Sequence, residues 1–212
     1  MKPAGYVAVI GDVVGSREVE DREGLQQRLR ELMGEVNRRF SGTIAARFLL
    51  TAGDEFQGLL GGAESVGELC GLLRAELDPV EIRLGFGVGG LATALQPEAV
   101  GMDGVCFHRA REALNRAKQT GSPVEAATGG DDGVFKVYGS LYGALRRGWT
   151  ARQRLAVDWT MAGLNGRQVA RRMGIGPSAV SLHLKAAEAR AVLAATRVWV
   201  RALEAALERD GR

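Results

Sequence analysis

Apolar residues recur along the chain with two periods, and each period predicts one type of secondary structure. Between residues 80 and 88 apolar residues alternate strictly with others, as in a strand with one buried face. Gly85 and Gly87 lie on the opposite face of this strand, where another backbone can approach closely. Earlier in the chain the spacing is helical and predicts an amphipathic helix; its apolar positions are Leu25, Leu29, Leu32, Met33, Val36 and Phe40.

Other segments complete a mixed pattern of strands and helices. Residues 6–10 form a near-continuous apolar run, typical of a central strand covered on both faces, and residues 43–60 predict a hairpin. Helices are predicted from residue 66, over 105–118 and over 134–147, and a last edge strand over 123–128. The order of the first six elements is strand, helix, two strands, helix and strand, which is that of a ferredoxin-like fold.

Composition indicates an ordinary soluble protein. With 212 residues, 46% of them hydrophobic and 25% charged, the chain can bury a substantial core. Charges interrupt every apolar run before it reaches the length of a membrane span, and Asp12 comes too early for a signal sequence, so we expect a cytoplasmic protein. Cys70 and Cys106 lack the spacing of a zinc site or a disulfide framework and are expected to be buried free thiols.

Charge is distributed unevenly along the chain. Residues 1–145 contain 15 Lys and Arg against 20 Asp and Glu, a net charge of −5, and residues 146–212 contain 13 against 5, a net charge of +8. A basic segment that follows an acidic body favours a nucleic-acid-binding module. The alternative is a solvated helical face with no ligand.

Two acidic residues follow apolar runs beside glycines. They are Asp12, in IGDVVGSR at 10–17, and Asp54, in LLTAGDEFQ at 49–57. If neighbouring strands carry them to one edge of a sheet, they can share the Mg²⁺ or Mn²⁺ ions that bind a nucleoside triphosphate. Residues expected to contact the nucleotide or its metal through the backbone are Val13, Gly15, Ser16 and Gly53. The alternative role of Asp12 is to cap a turn or a helix.

These segments resemble known families. IGDVVGSR resembles the first metal-binding segment of class III nucleotide cyclases, and TAGDEF resembles the glycine-aspartate hairpin of that superfamily and of GGDEF diguanylate cyclases. RLGFGVGGL at 83–91 and RAREALNRAKQTG at 109–121 resemble the following strand and the late helix. The whole layout is most similar to the SatD family. The resemblance implies an α+β chain, with a ferredoxin-like, nucleotide cyclase-like palm domain followed by a C-terminal all-α helix-turn-helix domain.

The resemblance also implies roles for individual residues. Asp12 and Asp54 correspond to metal ligands, and Glu55 is the next acidic candidate. Arg111 falls where class III cyclases place a transition-state arginine, and Lys118 matches a lysine near phosphate in GGDEF domains, so both are candidate catalytic residues. The alternative is that these two cations are solvated charges on a helix.

Three positions depart from the cyclase pattern. Leu50 stands where many cyclases have a purine-reading lysine, and Phe107 where they have a ribose-orienting asparagine. Ala52 replaces the first glycine of the GGDEF hairpin. A site that keeps the metal carboxylates without these readers is expected to bind a nucleotide without cyclising it, or to accept a different substrate.

The C-terminal part predicts a helix-turn-helix. GRQVARRM at 166–173 and the helix from residue 177 are separated by a tight turn at 174–176, and in this motif the second helix enters the major groove of DNA. Residues expected to contact DNA are Arg167, Arg171, Arg172, Ser178, Ser181, His183 and Lys185. The predicted domains are a palm at 1–128, a linker and connector helix at 129–148, and the helix-turn-helix domain with a C-terminal helix at 149–212.

The last helix carries a heptad-like seam that leaves two alternatives open. Its members are Val192, Thr196, Trp199, Leu203 and Ala206. The seam either pairs two protomers or packs back on its own chain.

Three functions are compatible with these features. The first is a transcriptional regulator that binds DNA, senses a nucleotide together with Mg²⁺ and forms a homodimer. The second is an active nucleotidyl cyclase, or a related phosphoryl transferase, with an accessory DNA-binding domain. The third is a palm domain that serves only as a dimerisation scaffold.

Overall fold

A computed structural model describes residues 5–51 and 53–210, and for Arg17 it describes the backbone alone. Ala52, one of the three departures from the cyclase pattern, lies outside the described residues. The fold is mixed α and β, as the periodicity predicted. The strands are β1 (Tyr6–Val13), β2 (Ile44–Leu50), β3 (Glu55–Leu60), β4 (Ile82–Gly89) and β5 (Val124–Ala127). The helices are α1 (Arg22–Arg39), α2 (Val66–Leu77), α3 (Val105–Thr120), α4 (Gly133–Gly148), α5 (Ala151–Met161), α6 (Gly166–Met173), α7 (Pro177–Ala186) and α8 (Ala189–Asp210).

The strands form one sheet in the order β2-β3-β1-β4-β5. The pairs β2–β3, β1–β3 and β1–β4 are antiparallel, whereas β5 pairs in parallel with β4. The last edge strand predicted at 123–128 is therefore present as β5. The α+β class is confirmed at this level.

Both faces of the sheet are covered, as the apolar run of β1 predicted. Val7 and Val9 lie in the larger core, with residues of α1, α2 and the C-terminal helices. Ala8 and Ile10, at the alternate positions, lie in a smaller core beneath α3. The glycines of β4 admit α3 to this second face, since a Cβ atom on Gly85 would lie 2.5 Å from a backbone nitrogen of α3.

The C-terminal helices pack on the first face. The ring of Trp199 in α8 meets the ring of Phe86 in β4 edge-on, with 5.3 Å between centroids, and the ring of Phe135 in α4 at 6.0 Å. The predicted seam of α8 is buried within the same chain; its residues are Val192, Thr196, Trp199, Leu203 and Ala206. Packing back on the chain is therefore the correct alternative for this seam.

Helix α5 docks on α2 through a glycine. A Cβ atom on Gly71 would lie 2.6 Å from the carbonyl oxygen of Asp158 and 2.7 Å from the carbonyl carbon of Met161. The side chain of Asp158 is fully buried, and Arg146 of α4 donates hydrogen bonds of 2.9 Å to both of its oxygens. Burial raises the pKa of the Asp158 carboxyl, and its contact with Arg146 opposes that rise.

Both cysteines are buried and free, as the sequence predicted. Burial raises the pKa of the Cys70 thiol to about 12 and that of Cys106 to about 11. Among the described helices, none combines the length and the apolar character that a membrane span requires.

Candidate functional site

Three charged residues form one row across the three central strands of the sheet, near the ends of those strands. Asp12, near the end of β1, is paired in register with Glu55 of β3 on one side and with Arg83 of β4 on the other. Residues directly opposite in antiparallel strands share a face of the sheet. Asp12 is in phase with Ile10, which packs under α3, so the row lies on the α3 face.

Helix α3 supplies a cation to each carboxylate. The Nζ atom of Lys118 lies 3.0 Å from Oδ2 of Asp12. The guanidinium of Arg111 donates two hydrogen bonds to Glu55, of 2.5 and 2.6 Å. These two cations stand seven residues apart, about two helical turns, so they project from the same side of α3. The close approach of α3 to the glycines of β4 brings that side to the row.

Burial differs between the acids and their cations. The side chains of Asp12 and Glu55 are 17% and 16% exposed, whereas those of Lys118 and Arg111 are 40% and 43% exposed. The hydrogen bonds from Arg111 to Glu55 raise the pKa of that guanidinium further. The two carboxylates are thus mostly buried, whereas the two cationic side chains are exposed enough to rotate towards another anion.

Asp54 lies outside this row. It occupies the turn between β2 and β3, directly before Glu55, and within the described residues it forms no hydrogen bond or ion pair through its side chain. Gly53, at φ 68°, shapes the same turn, and its carbonyl accepts a hydrogen bond of 3.4 Å from Gln26 of α1. The carboxylate that the fold sets directly beside Asp12 is therefore that of Glu55.

The turn after β1 begins directly after Asp12 and Val13. Val13 is the last residue of β1, and its buried side chain belongs to the core on the other face. Gly15, at φ 67°, precedes a short 3₁₀ helix over Ser16–Glu18. Because its side chain is buried, Val13 can contact a ligand only through its backbone.

A positively charged cleft opens beside the row. Its volume is about 410 Å³, and its charged lining consists of Glu81, Arg83, Arg146, Arg147 and Arg154. Glu81 lies 3.2 Å from Arg146 and 3.8 Å from Arg154, which leaves an excess of positive charge in the lining. Such a cleft favours anions.

The donor set suits a metal ion that is shared with a ligand. Within 5–51 and 53–210, no three His, Cys, Asp or Glu side chains are grouped so as to hold a metal ion by themselves. Mg²⁺ typically takes one or two protein carboxylates and completes its shell with phosphate oxygens and water. The neighbouring carboxylates of Asp12 and Glu55 are donors of the type that this role requires, and in this structure each of them is paired with a cation.

Helices α6 and α7 carry the residues that the sequence predicted to contact DNA. Asn165 caps α6, because its side chain accepts hydrogen bonds from the backbone of Arg167 and Gln168, and Gly174, at φ 63°, ends it. Three residues separate α6 from α7. The two helices contact the rest of the chain through buried apolar residues, namely Val169, Ala170 and Val180.

The residues predicted to contact DNA divide into three groups. Those exposed on α6 and α7 are Arg167, Arg171, Ser178, Ser181 and Lys185, and His183 is half-buried. Arg172 is exposed as well, with 52% of its side chain accessible, but it has partners within the chain. Its guanidinium lies 3.3 Å from Glu76 of α2 and 4.6 Å from the ring centroid of Trp159, so it binds the body of the protein.

The sequence did not predict a role for two residues at these candidate sites, Arg83 and Leu182. Arg83 is in phase with the glycines of β4, but only the pairing of β4 with β1 brings it next to Asp12. Leu182 is an exposed apolar residue of α7, beside Ser181. Its exposure could not be deduced from the helical period, because the period does not state which face is covered.

Known proteins share the first part of this chain. The model of the SatD family matches residues 6–132. The match begins with β1 and ends at the residue before α4, so it contains the whole sheet and the row of charged residues. Among curated proteins, none matches the chain.

Proposed function

Because this chain belongs to the SatD family, we propose that it is a DNA-binding transcriptional regulator with a cyclase-like palm domain that binds a nucleotide together with Mg²⁺. The proposed palm spans residues 1–128, a linker and connector helix follow at 129–148, and the proposed helix-turn-helix domain spans 149–212. The exposed polar face of α6 and α7 is the observation that carries the proposal.

The strand order supports the palm. A ferredoxin-like fold has two βαβ units whose strands interleave, so that the first and third strands lie in the middle of the sheet. The order β2-β3-β1-β4 has this arrangement, and α3 with β5 extends it at one edge. In a palm of this kind, the resemblance to cyclases implies that Asp12 and the hairpin residues hold the metal ions.

Charge balance supports a nucleotide ligand. The acids Asp12, Asp54 and Glu55 are matched in number by the cations Arg83, Arg111 and Lys118. A triphosphate with four negative charges, bound with about two divalent ions, adds no net charge to this set. Lys118 and Arg111 would transfer from the carboxylates to the phosphates, where their charge-assisted bonds are equally favourable. The basic cleft beside Arg83 offers further room for anionic groups.

Apolar side chains favour binding over turnover. Leu50 lies in β2 and packs against the larger core, and Phe107 lies in the first turn of α3 and packs against the smaller one. Neither side chain can supply the hydrogen bonds with which cyclases read a purine and orient a ribose. The residues with which cyclases orient their substrate are therefore incomplete in this chain, and a sensor is the simpler role. Release of pyrophosphate from a triphosphate, if lost in Asp12→Asn, would identify an active phosphoryl transferase instead.

The surface of α6 and α7 supports DNA binding. The apolar residues Val169, Ala170 and Val180 are buried. Ser178, Ser181 and Lys185 on α7 remain exposed for base or phosphate contacts. Leu182, between them, offers an apolar surface of the kind that contacts a thymine methyl group. Arg167 and Arg171 on α6 add positive charge beside them.

Salt-dependent binding tests the proposal. The full chain is titrated into a random-sequence duplex of about 30 base pairs at several salt concentrations. Arg171→Ala is expected to weaken binding and to reduce the slope of log K against log salt by about 0.9, the loss of one phosphate contact. Arg30→Ala removes an exposed arginine from α1 and should leave the slope unchanged. Binding that is absent or insensitive to salt would refute the DNA-binding role.

A further inference from the structure

An apolar stripe runs along the outside of α4. Its members stand three or four residues apart, one helical face, and each is between 41% and 62% exposed: Val134, Val137, Leu141 and Leu145. On the neighbouring helix α8, Val198 is 57% exposed and Ala191 and Ala195 are exposed as well. We call these seven residues the α4/α8 face. The face is distinct from the inner seam of α8, which is buried against the sheet.

A groove lies between the two helices. It has a volume of about 420 Å³, and aromatic rings form part of its lining, those of Tyr138, Tyr142 and Trp199. The polar ends of the tyrosines have partners of their own: the hydroxyl of Tyr138 lies 2.8 Å from Thr196, and that of Tyr142 lies 3.5 Å from Asp158. The groove therefore presents an apolar surface on which both tyrosine hydroxyls already have partners, whereas the buried indole Nε1 of Trp199 has none within the described residues.

The exposed apolar area of the α4/α8 face is large for the surface of a monomer. Five half-exposed Val and Leu side chains amount to roughly 400 Å² of apolar area, within the range of the largest patches on monomers, which are often functional. The four exposed residues of α4 do not contribute to the core, which is complete without them beneath Phe135 and Tyr142. Their apolar character therefore points to a partner.

The geometry points to a second copy of this chain as the partner, packed through the α4/α8 face about a two-fold axis. The groove has bulky side chains on its α4 side, among them Val137 and Leu141, and the small side chains of Ala191 and Ala195 on its α8 side. Under a two-fold axis the bulky α4 side chains of each copy pack over the small α8 side chains of the other, as an isologous interface requires. The apolar area of the face is about half of the roughly 800 Å² per partner that a stable complex buries, so it can form the apolar centre of such an interface.

A two-fold axis near residue 140 sets the two α4 helices antiparallel, so that their helix dipoles are antiparallel as well, which is favourable.

Sedimentation equilibrium of the full chain tests this interface. The wild-type chain is expected to be a dimer at micromolar concentration. Leu141→Glu should raise the dimer dissociation constant at least about tenfold, because it introduces a charge into the centre of a desolvated face. Leu182→Glu, at a leucine of α7 that is 68% exposed outside the face, should leave the dimer intact. Circular dichroism and thermal unfolding establish that both variants fold.

A wild-type chain that stays monomeric at 100 µM would overturn the proposal, whether or not it binds lipid vesicles. A dimer that persists unchanged in Leu141→Glu and in a second variant, Val137→Lys, would overturn it as well. Neither result depends on nucleotide or DNA.

Discussion

Asp12 and Glu55 are direct neighbours across β1 and β3, and each carboxylate is bound by a cation of the same helix, α3. Two carboxylates at this separation repel each other unless cations neutralise them. In the free protein Lys118 and Arg111 supply that neutralisation. A metal ion can take over the same task only if another anion receives the two side chains. Metal and phosphate are therefore expected to bind together rather than one after the other.

This coupling gives the first prediction. Lys118→Ala is expected to weaken binding of ATP or GTP in the presence of Mn²⁺ about tenfold or more, since a hydrogen bond to a charged group contributes about 1.5–3 kcal/mol. Asp12→Asn should abolish the dependence of binding on Mn²⁺. Calorimetric titration of the full chain measures both effects.

The control for this site lies on α4. Lys136→Ala removes an exposed lysine from that helix and should leave the affinity for the triphosphate unchanged. Equal triphosphate affinities for the wild type, Lys118→Ala and Asp12→Asn would contradict the nucleotide proposal.

Docking of α5 on α2 gives the second prediction. Gly71→Ala should lower the free energy of unfolding by about 1–3 kcal/mol, because its new Cβ meets the backbone of α5, which cannot move as a side chain can. Gly67→Ala, one turn earlier in the same helix, places its Cβ 3.5 Å from a methyl group of Thr196 and should stabilise the chain by up to about 1 kcal/mol. Urea denaturation compares the two variants, and a similar effect of both would show that the α2–α5 contact is looser than described.

The buried pair of Arg146 and Asp158 gives the third prediction. Arg146→Ala leaves the carboxylate of Asp158 without its cation in a fully buried position, which should cost about 3–5 kcal/mol of stability. Arg152→Ala, at an exposed position of α5, should change stability by less than about 0.5 kcal/mol. The midpoints of urea unfolding measure the difference; a loss below about 1 kcal/mol for Arg146→Ala would mean that water reaches the pair.

Cys70 gives a prediction for alkaline pH. Its pKa is raised from 9.0 to about 12 in the folded chain, so the unfolded chain loses the thiol proton first as the pH rises. The stability from this group is complete below pH 9 and declines between pH 9 and 12, by up to about 1.4 kcal/mol per pH unit. Cys70→Ala should show a shallower decline over this interval and a constant difference from the wild type below pH 8. Parallel slopes above pH 9 would refute this role of the thiol.

Much of the fold followed from local patterns. The helical spacing of residues 25–40 and the strict alternation of residues 80–88 correspond to α1 and β4. Local chemistry also sets the start of α5, where Thr150 caps the helix through a capping box with Gln153. Ser65 shows the limit of local chemistry: serine is a favoured capping residue and Ser65 precedes α2, but its hydroxyl lies 2.8 Å from that of Thr43 and does not cap the helix.

By itself, the sequence determined which segments are helices or strands and that acidic residues follow two apolar runs, because periodicity and turn chemistry act over a few neighbouring residues. Tertiary structure alone decided that Glu55 is the residue beside Asp12, that Lys118 and Arg111 bind this pair, and which face of α8 is covered. Those relations join residues far apart in the chain, and they depend on strand register and on the packing of whole helices. A hydrophobic period predicts that one face of an element is buried, whereas only the tertiary structure shows which residues cover that face.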